Sequence, residues 1–222
     1  MTRLKFIFLF LITVCLSIPA FAIEDDEALE RLENAQDINE LCAGCHGMHG
    51  QGGGKGIYPR LAGLSADYMA KQIEDFKTRK RINLPMLPYA NDRELSPEDV
   101  RDITEYLANI HLSNQLPKTD GEIDGLERLK QAEKVVQIGR YKGNVNHGSS
   151  LYMQYCRFCH QRDGLGTNRV PPLRGQHIPY LKKQLEDFRA QKREHDNWKN
   201  YLGTIEDEDI RDILAFLSIM DD

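Results

Sequence analysis

The 222-residue sequence is poor in several residue types that mark particular protein classes. It holds five cysteines and one tryptophan, and aromatic residues make up only 8% of it. Five cysteines are too few for a chain held together by disulfides. Lysine and arginine number 29 against 34 acidic residues, so the formal net charge is −5 and no basic excess for nucleic-acid binding exists. The sequence has one long apolar run, which excludes a polytopic membrane protein.

That single apolar run lies at the N-terminus. Arg3 and Lys5 precede the mostly apolar stretch Phe6–Ile18, and Ala20-Phe21-Ala22 then places small residues two apart. This order is typical of a secretory signal peptide, residues 1–22, that is cleaved after Ala22. The alternatives are a lipid anchor at Cys15 and a membrane anchor, although a spanning helix needs about 20 apolar residues. The sequence therefore predicts export of a soluble chain to an oxidising space outside the cytoplasm, with a net charge that falls from −5 to −7 because Arg3 and Lys5 are lost.

The four remaining cysteines fall into two identical motifs, C-x-x-C-H. Two thiols separated by two residues on one helical turn can each reach a vinyl group of the same porphyrin, and the adjacent histidine then lies under the iron as its proximal ligand. A redox dithiol or half of a zinc site uses the same cysteine spacing. A histidine directly after the second cysteine, twice in one exported chain, instead predicts two covalently attached haem c groups. The motifs are Cys42, Cys45 and His46 in the first half, and Cys156, Cys159 and His160 in the second.

The similarity between the two halves extends far beyond these motifs. The segment Pro59–Gly63 matches Pro171–Gly175, and the acidic stretch 95–103 matches 205–213. The offset between matched positions falls from 114 to 112 to 110 along the chain, which indicates short loop deletions in the second half. The chain is therefore a tandem duplication. Its further matched pairs are Tyr68/Tyr180, Lys71/Lys183, Gln72/Gln184, Glu74/Glu186, Asp75/Asp187, Phe76/Phe188, Lys80/Lys192 and Arg81/Arg193.

Apolar spacing predicts helices in both halves and no strand, so the expected fold class is all-α. The expected helices are 27–41, 65–79 and one starting after Ser96, matched by 148–155, 177–191 and one starting near 206. Ser96 is expected as an N-cap, with Pro97 at the first helical position. Leu29, Leu32 and Leu41 are expected on the inner side of the first helix. Tyr68, Phe76 and either Gln72 or Ile73 are expected on the buried side of the second. The acidic clusters at 98–102 and 206–212 are interpreted as solvated faces and helix starts.

Domain boundaries follow from the repeat and from composition. We expect the first haem domain at 23–112 and the second at 146–222. Between them, residues 113–145 are polar and carry Pro117, Gly121 and Gly139, which is typical of a linker or an extended interdomain segment. Residues 122–138 of this segment are expected to be partly helical.

With these motifs, the mature chain resembles the di-haem class I cytochromes c of the cytochrome c4 type. The resemblance implies two tandem class I cytochrome c domains that carry electrons in the bacterial periplasm. It also implies that the carbonyl oxygens of Pro59 and Pro171 accept a hydrogen bond from the ring N–H of the proximal histidines. Such a bond fixes the tautomer of a ligating imidazole and raises its basicity.

The distal iron ligands differ between the halves. The family pattern places a ligand in the loop before the last helix, where the first half has Met86 between two prolines. The second half has no methionine in that loop, and His195 nearly coincides with the position of Met86. His195 is our leading prediction for the second haem, and Lys199, Tyr201 or a vacant site are the alternatives. Because thioether sulfur raises the reduction potential and imidazole lowers it, the first haem is expected to have the higher potential.

Three classes of function are compatible with these features. The first is an electron carrier between a membrane donor and a terminal oxidase or reductase, whose acidic surface meets a basic patch on its redox partners. The second is a di-haem enzyme, a peroxidase or a sulfur-compound dehydrogenase, with an open or unusual second haem. The third is a cytochrome subunit docked peripherally in a larger membrane redox complex.

Overall fold

The computed structural model describes residues 21–119 and 121–220, and the side chains from residue 26 onward. The predicted signal peptide lies almost wholly outside these residues. Within them, no helix combines the length and the apolar character needed to span a bilayer. Eight α-helices lie in the described ranges: α1 Phe21–His46, α2 Ala66–Lys77, α3 Pro97–Ala108, α4 Gly125–Glu133, α5 Val145–Tyr155, α6 Arg157–His160, α7 Ile178–Arg189 and α8 Asp207–Leu217.

Short helical turns fill the loops that follow each haem motif. Two 3₁₀ turns lie at Gly54–Gly56 and Leu84–Met86, and a π-helical turn lies at Trp198–Leu202. The only β pairing in the described ranges consists of two isolated bridges, Gly53 with Tyr58 and Ser113 with Val135. The expected all-α fold class is confirmed, with two repeats of the same three-helix plan.

The second half has the larger apolar core. Helices α5 and α8 cross closely, and Tyr152 and Leu214 are completely buried where they meet. Gly148 makes this approach possible, since a Cβ there would lie 1.9 Å from the carbonyl oxygen of Asp212. Helix α7 closes the core with three buried apolar residues, Ile178, Leu181 and Phe188.

The first half has a smaller apolar core, and polar contacts join α1 to α3. The core consists of Leu64, Met69, Ile103 and Leu107. On α1, Arg31 Nε donates to Asp102 Oδ1 over 2.8 Å, and Asn34 Nδ2 donates to the other oxygen of the same carboxylate over 3.1 Å. The face of α1 that packs on α3 therefore includes Arg31 and Asn34 as well as apolar side chains.

Because polar contacts join these helices, two predictions about side-chain burial are wrong. Leu29, Leu32 and Leu41 do not lie on the inner face of α1, because they are 53%, 43% and 69% exposed. The acidic clusters are not wholly solvated either, since Asp102 and Asp212 are buried where α3 and α8 meet the first helix of each repeat. In the second repeat, Asp212 accepts hydrogen bonds from the Asn144 backbone N–H over 2.9 Å and from His147 Nδ1 over 3.0 Å.

Helix caps agree more closely with the sequence. Ser96 is the N-cap of α3 and accepts a hydrogen bond from the Asp99 N–H, while the Asp99 carboxylate accepts one from the Ser96 N–H. Pro97 occupies the first helical position, so the predicted start is confirmed. Glu206 occupies the corresponding position before α8 and makes no side-chain cap.

The segment between the repeats carries α4, in agreement with the expected partial helix. Val136 is buried, and the backbone N–H of Tyr141 donates to Ser218 Oγ over 2.9 Å. The end of this segment therefore packs on the second repeat.

Hydrogen bonds also join the two repeats directly. Gln176 binds the backbone of Arg60 at two points, by accepting from its N–H over 2.9 Å and by donating to its carbonyl over 3.0 Å. His177 Nε2 lies 2.8 Å from the carbonyl oxygen of Gln51. Both contacts reach the loop that follows the first C-x-x-C-H motif, so the second repeat supports that loop.

Candidate haem sites

Each C-x-x-C-H histidine ends a helix and is held in one orientation by a proline carbonyl. His46 ends α1, and its Nδ1 lies 3.0 Å from the carbonyl oxygen of Pro59. His160 ends α6, and its Nδ1 lies 2.9 Å from the carbonyl oxygen of Pro171. A carbonyl oxygen can only accept, so in both rings Nδ1 carries the proton and Nε2 keeps its lone pair for a metal.

Burial keeps these imidazoles neutral. Both histidines are 8% exposed. Burial lowers the pKa of His46 despite the opposing hydrogen bond to Pro59. At His160 burial again lowers the pKa, opposed by the Pro171 bond and assisted by the positive charge of Arg193. A neutral imidazole is the form that binds a metal.

None of the four cysteines is in a disulfide. Cys42, Cys45 and Cys156 are half-buried, and Cys159 is exposed. Burial and the neighbouring Cys159 raise the pKa of Cys156 to about 12, and burial and Cys45 raise the pKa of Cys42. A reactive cysteine needs a lowered pKa, and the shifts at Cys42 and Cys156 have the opposite direction. In the described ranges, no group of three or more His, Cys, Asp or Glu side chains forms a metal cluster.

The distal loop of the second repeat brings His195 opposite His160. The centroids of the two rings are 6.2 Å apart with an angle of 27° between their planes. His195 also contacts the buried ring of Phe188 edge-on, at 4.6 Å. Burial, the neighbouring His160 and the charge of Arg193 lower the pKa of His195 to about 4, so this ring is neutral as well.

One hydrogen bond distinguishes His195 from the two proximal histidines. The backbone N–H of Asn197 donates to His195 Nδ1 over 3.0 Å. In this arrangement Nδ1 is the acceptor, and the proton of the neutral ring lies on Nε2. The tautomer is therefore opposite to that of His46 and His160.

The remaining candidate ligands are Met86 in the first repeat and Lys199 and Tyr201 in the second. Met86 is half-buried at the end of the 3₁₀ turn Leu84–Met86, and its carbonyl accepts from the N–H groups of Tyr89 and Ala90. Lys199 is exposed. The Tyr201 ring is buried and stacks on Tyr155 with centroids 4.0 Å apart, and burial raises the pKa of Tyr201.

The sequence did not predict one feature of the structure, a cluster of polar residues between the repeats. Tyr68 and Gln72 were expected in the core of the first repeat, but they are half-buried and accept hydrogen bonds from Arg193 of the second. In turn, Tyr180 and Gln184 accept hydrogen bonds from Arg81. The signal was present in the sequence, because a glutamine and an arginine are repeated beside an apolar helix stripe in both halves.

These sites fit haem c. Each has two free thiols one helical turn apart and a neutral, buried imidazole whose Nε2 lone pair is available, and the second also has an imidazole facing the first. The model of the cytochrome c family matches residues 33–111 and 145–221, so both motifs lie inside the matched ranges.

Two relatives and one solved structure extend the comparison. The chain is 33% identical to cytochrome c4 of Pseudomonas aeruginosa over 141 residues, which cover 63% of this chain and 62% of the relative. It is 32% identical over 144 residues to a thiosulfate dehydrogenase electron acceptor of Stutzerimonas stutzeri, with 63% of this chain and 58% of the relative covered. The chain thus matches less than two thirds of the length of these relatives.

The crystal structure of reduced cytochrome c4 from Pseudomonas stutzeri superimposes with a TM-score of 0.64 at 24% identity, over 84% of this chain and 97% of that one. At this identity the likeness concerns the fold, and the fold is that of two tandem haem domains. The chain therefore belongs to the cytochrome c family, as a two-domain member similar to the di-haem cytochromes c4, with covalently attached haem c as the cofactor of both domains.

Proposed function

We propose that the chain is a periplasmic di-haem electron carrier in which His46 and Met86 ligate the first iron and His160 and His195 ligate the second. Cys42, Cys45, Cys156 and Cys159 form the thioether links. Haem supplies one-electron chemistry at a ligated iron. The protein holds the proximal imidazoles in one tautomer through Pro59 and Pro171, and it buries them.

The observation that carries the assignment of the second site is the spacing of the His160 and His195 rings. A metal–imidazole bond is about 2.0–2.1 Å long, and the bound nitrogen lies roughly 1.1 Å from the ring centroid. Two imidazoles on opposite sides of one metal therefore have centroids roughly 6.3 Å apart. The separation in the structure is 6.2 Å. This spacing supports a bis-histidine site.

The hydrogen bond to Asn197 makes the two ligands of this haem unequal. Ligation through Nε2 requires the proton of His195 on Nδ1, where the Asn197 N–H donates in the structure. Iron bound at Nε2 would require this contact to open, whereas His160 Nδ1 already lies against the carbonyl oxygen of Pro171. The imidazole of His195 would therefore be the less strongly supported ligand of the two.

The different ligands give the two haems different roles. Methionine sulfur at the first iron raises its reduction potential, and imidazole at the second lowers it. With these ligands, the haem held by His160 and His195 would have the lower potential, so electrons would pass from it to the haem held by His46 and Met86 and from there to an acceptor. The formal net charge of −5 favours redox partners with a basic docking patch.

A specific donor is suggested by one of the relatives. The protein from Stutzerimonas stutzeri is named as the electron acceptor of a thiosulfate dehydrogenase. We propose a sulfur-compound dehydrogenase as the donor to test first, with this chain as its diffusing acceptor or docked subunit. Reduction by the dehydrogenase that slows as salt is added supports this pairing, because salt screens the attraction between exposed charges.

Spectroscopy of the purified holoprotein tests the ligands. Two haems by mass, one far-red thioether-to-ferric-iron absorption band and two distinct ferric paramagnetic resonance signals are expected. Met86→Ala should abolish the far-red band and leave the second signal intact. His195→Ala should make the second haem high-spin, whereas His111→Ala, at an exposed histidine, should change neither haem. A second low-spin signal that survives His195→Ala rules out the bis-histidine assignment.

A further inference from the structure

Two peptide groups of the loop that follows His46 hold this proximal histidine in place. The backbone N–H of Gly52 donates to the carbonyl oxygen of His46 over 2.7 Å, and His46 Nδ1 donates to the carbonyl oxygen of Pro59 over 3.0 Å. Gly52 and Gly56 in this loop have φ angles of 91° and 87°, and glycine reaches many other conformations at equal cost. The orientation of His46 therefore depends on contacts that hold the loop from outside.

One of these contacts comes from Gln176 of the second domain. Its Oε1 accepts from the Arg60 N–H over 2.9 Å, and its Nε2 donates to the Arg60 carbonyl oxygen over 3.0 Å. The Arg60 N–H and the Pro59 carbonyl are the two ends of one peptide group. A chain of two hydrogen bonds thus leads from His46 Nδ1 through this peptide group to the Gln176 side chain. Gln176 is 4% exposed, so water does not compete for these bonds.

The neighbouring residue, His177, fixes both the glutamine and the other end of the loop. Its backbone N–H donates to Gln176 Oε1 over 3.0 Å, which leaves the amide of Gln176 one orientation that satisfies both of its ends. Its ring Nε2 lies 2.8 Å from the carbonyl oxygen of Gln51. A Cβ on Gly52 would lie only 2.4 Å from the same nitrogen, so the ring sits directly on the loop.

The proximal histidine of the second domain cannot be supported in the same way. His160 Nδ1 lies 2.9 Å from the carbonyl oxygen of Pro171, which corresponds to the contact of His46 with Pro59. The residue after Pro171 is Pro172, however, and proline has no backbone N–H. The peptide group that holds His160 therefore has no donor for a partner at its other end.

We infer that Gln176 of the second domain is a positioning residue for the proximal ligand of the first haem and acts through the Pro59–Arg60 peptide group. It has this role only if His46 ligates the first iron, as proposed above. Hydrogen bonds in a chain polarise one another, so the bond from the Arg60 N–H to Gln176 makes the Pro59 carbonyl a stronger acceptor. A stronger acceptor at Nδ1 raises the basicity of the His46 imidazole.

The consequence is a lower reduction potential at the first haem. A more basic imidazole favours ferric iron, whereas the thioether of Met86 favours ferrous iron. Gln176 therefore opposes the effect of Met86 and narrows the difference in potential between the two haems. The contact between the domains in this way adjusts one haem and leaves the other, which is held by Pro171 and followed by Pro172, unchanged.

The test is a potentiometric titration of both haems in holoprotein with Gln176→Met or Gln176→Glu. Methionine is close to glutamine in size but is only a weak acceptor, so Gln176→Met preserves packing and removes the hydrogen bond. We expect it to raise the potential of the first haem by at least the equivalent of a threefold change in the oxidised-to-reduced ratio, about 28 mV at 59 mV per tenfold change. The potential of the second haem should not change.

Two further variants separate the hydrogen bond from packing. Gln176→Glu keeps an oxygen that accepts from the Arg60 N–H, so the potential of the first haem should stay at or below the wild-type value. Gln115→Met is the matched control, because Gln115 is exposed in the segment between the domains, and it should behave as wild type. If Gln176→Met does not bind two haems, Gln176→Asn replaces it, since its shorter side chain also loses the acceptor and should raise the potential.

Proton NMR of the reduced holoprotein gives a readout at the ligand itself. In Gln176→Met, the signal of the His46 Nδ1 proton should move upfield and the proton should exchange faster with solvent, because its hydrogen bond to Pro59 is weaker. The Nδ1 proton of His160 should keep both its shift and its exchange rate.

Three outcomes would overturn the inference. One is a Gln176→Met protein with two haems and an unchanged potential at the first. Another is an equal shift at both haems, which would indicate a general effect of the domain contact. The last is a Gln176→Glu protein whose first haem rises as far as in Gln176→Met, since packing would then be the cause. A wild-type protein with fewer than two haems, or without the far-red band, would instead refute the proposed function, so the two failures are distinguishable.

Discussion

Replacing Gly148 with alanine tests how closely α5 and α8 approach each other in the second domain. A Cβ at this position would lie 1.9 Å from the carbonyl oxygen of Asp212 and 2.4 Å from its carbonyl carbon. A carbon–oxygen contact needs at least about 3.3 Å, so the helices would have to separate by roughly 1.4 Å. Both neighbouring atoms belong to the backbone, and no side-chain rotation can relieve the overlap.

The cost follows from the packing around this crossing. Overpacking a core costs about 1–3 kcal/mol, and we expect roughly 3 kcal/mol here because backbone meets backbone. Each kcal/mol lowers the melting temperature of a domain of 60–100 residues by about 4–8 °C, so the second domain should melt about 12–24 °C earlier. Tyr152 and Leu214, which are fully buried beside the crossing, would lose contacts at the same time.

Thermal unfolding of the holoprotein measures this change. The two domains can melt separately, so helicity and the absorption of each haem should be followed together. The matched control is Gly139→Ala, where a Cβ meets no atom within 4 Å and the effect should stay within about 0.5 kcal/mol. If Gly148→Ala melts like the wild-type protein, the helices do not cross as closely as the structure shows, and the reasoning fails.

Two further substitutions test polar contacts of α3 and α8. Ser96→Ala removes the cap of α3 and should lower the free energy of unfolding of the first domain by about 1 kcal/mol, measured by chemical unfolding. The control is Glu206→Ala, at a helix start without a side-chain cap, which should change the stability of the second domain little. Equal effects of the two substitutions would contradict the capping assignment. Asp212→Asn should destabilise the second domain at neutral pH. Burial alone would raise the pKa of Asp212, but the Asn144 N–H, His147 and Arg211 lower it, so the carboxylate stabilises the fold above the ordinary Asp pKa. That contribution is lost as the pH falls through the lowered pKa. The free energies of unfolding of the mutant and the wild-type protein, measured against pH, should therefore converge in acid. A constant difference between them would refute this account.

The parts of the fold that the sequence predicted depend on local chemistry. The C-x-x-C-H spacing acts within one helical turn, and the Ser96 cap involves only the next three residues. The all-α class likewise follows from apolar periodicity within single segments. Such features need no knowledge of how the segments pack against each other.

The errors concern contacts between distant segments. Leucines 29, 32 and 41 suggested an apolar inner face for α1, yet the face that meets α3 carries Arg31 and Asn34, because Asp102 on α3 supplies buried acceptors. An apolar pattern cannot identify an inner face that is held by hydrogen bonds. The acceptors lie 68 to 71 residues away in the chain.

The duplication itself explains why Tyr68 and Gln72, which lie in the polar cluster between the repeats, were expected in the core of the first repeat. Repeated residues in a tandem protein serve either the same role twice, within each domain, or one reciprocal contact between the domains. Phe76 and Phe188 belong to the first kind, since both are buried in their own domains. Tyr68 and Tyr180 belong to the second, because each accepts a hydrogen bond from the arginine of the opposite domain.

The hydrogen-bonding requirements of the side chains distinguish these two kinds of repeated residue. A glutamine and a tyrosine hydroxyl on an otherwise apolar stripe need hydrogen-bond partners, and the repeated arginine a few residues later supplies five donors. Within one domain, Arg81 binds Gln72, and its remaining donors are free to reach Tyr180 and Gln184 of the other domain. The same reasoning applied to Arg193 gives the reciprocal contacts with Tyr68 and Gln72. Repeated polar residues whose hydrogen bonds cannot all be satisfied inside one copy thus indicate the surface on which the two copies meet.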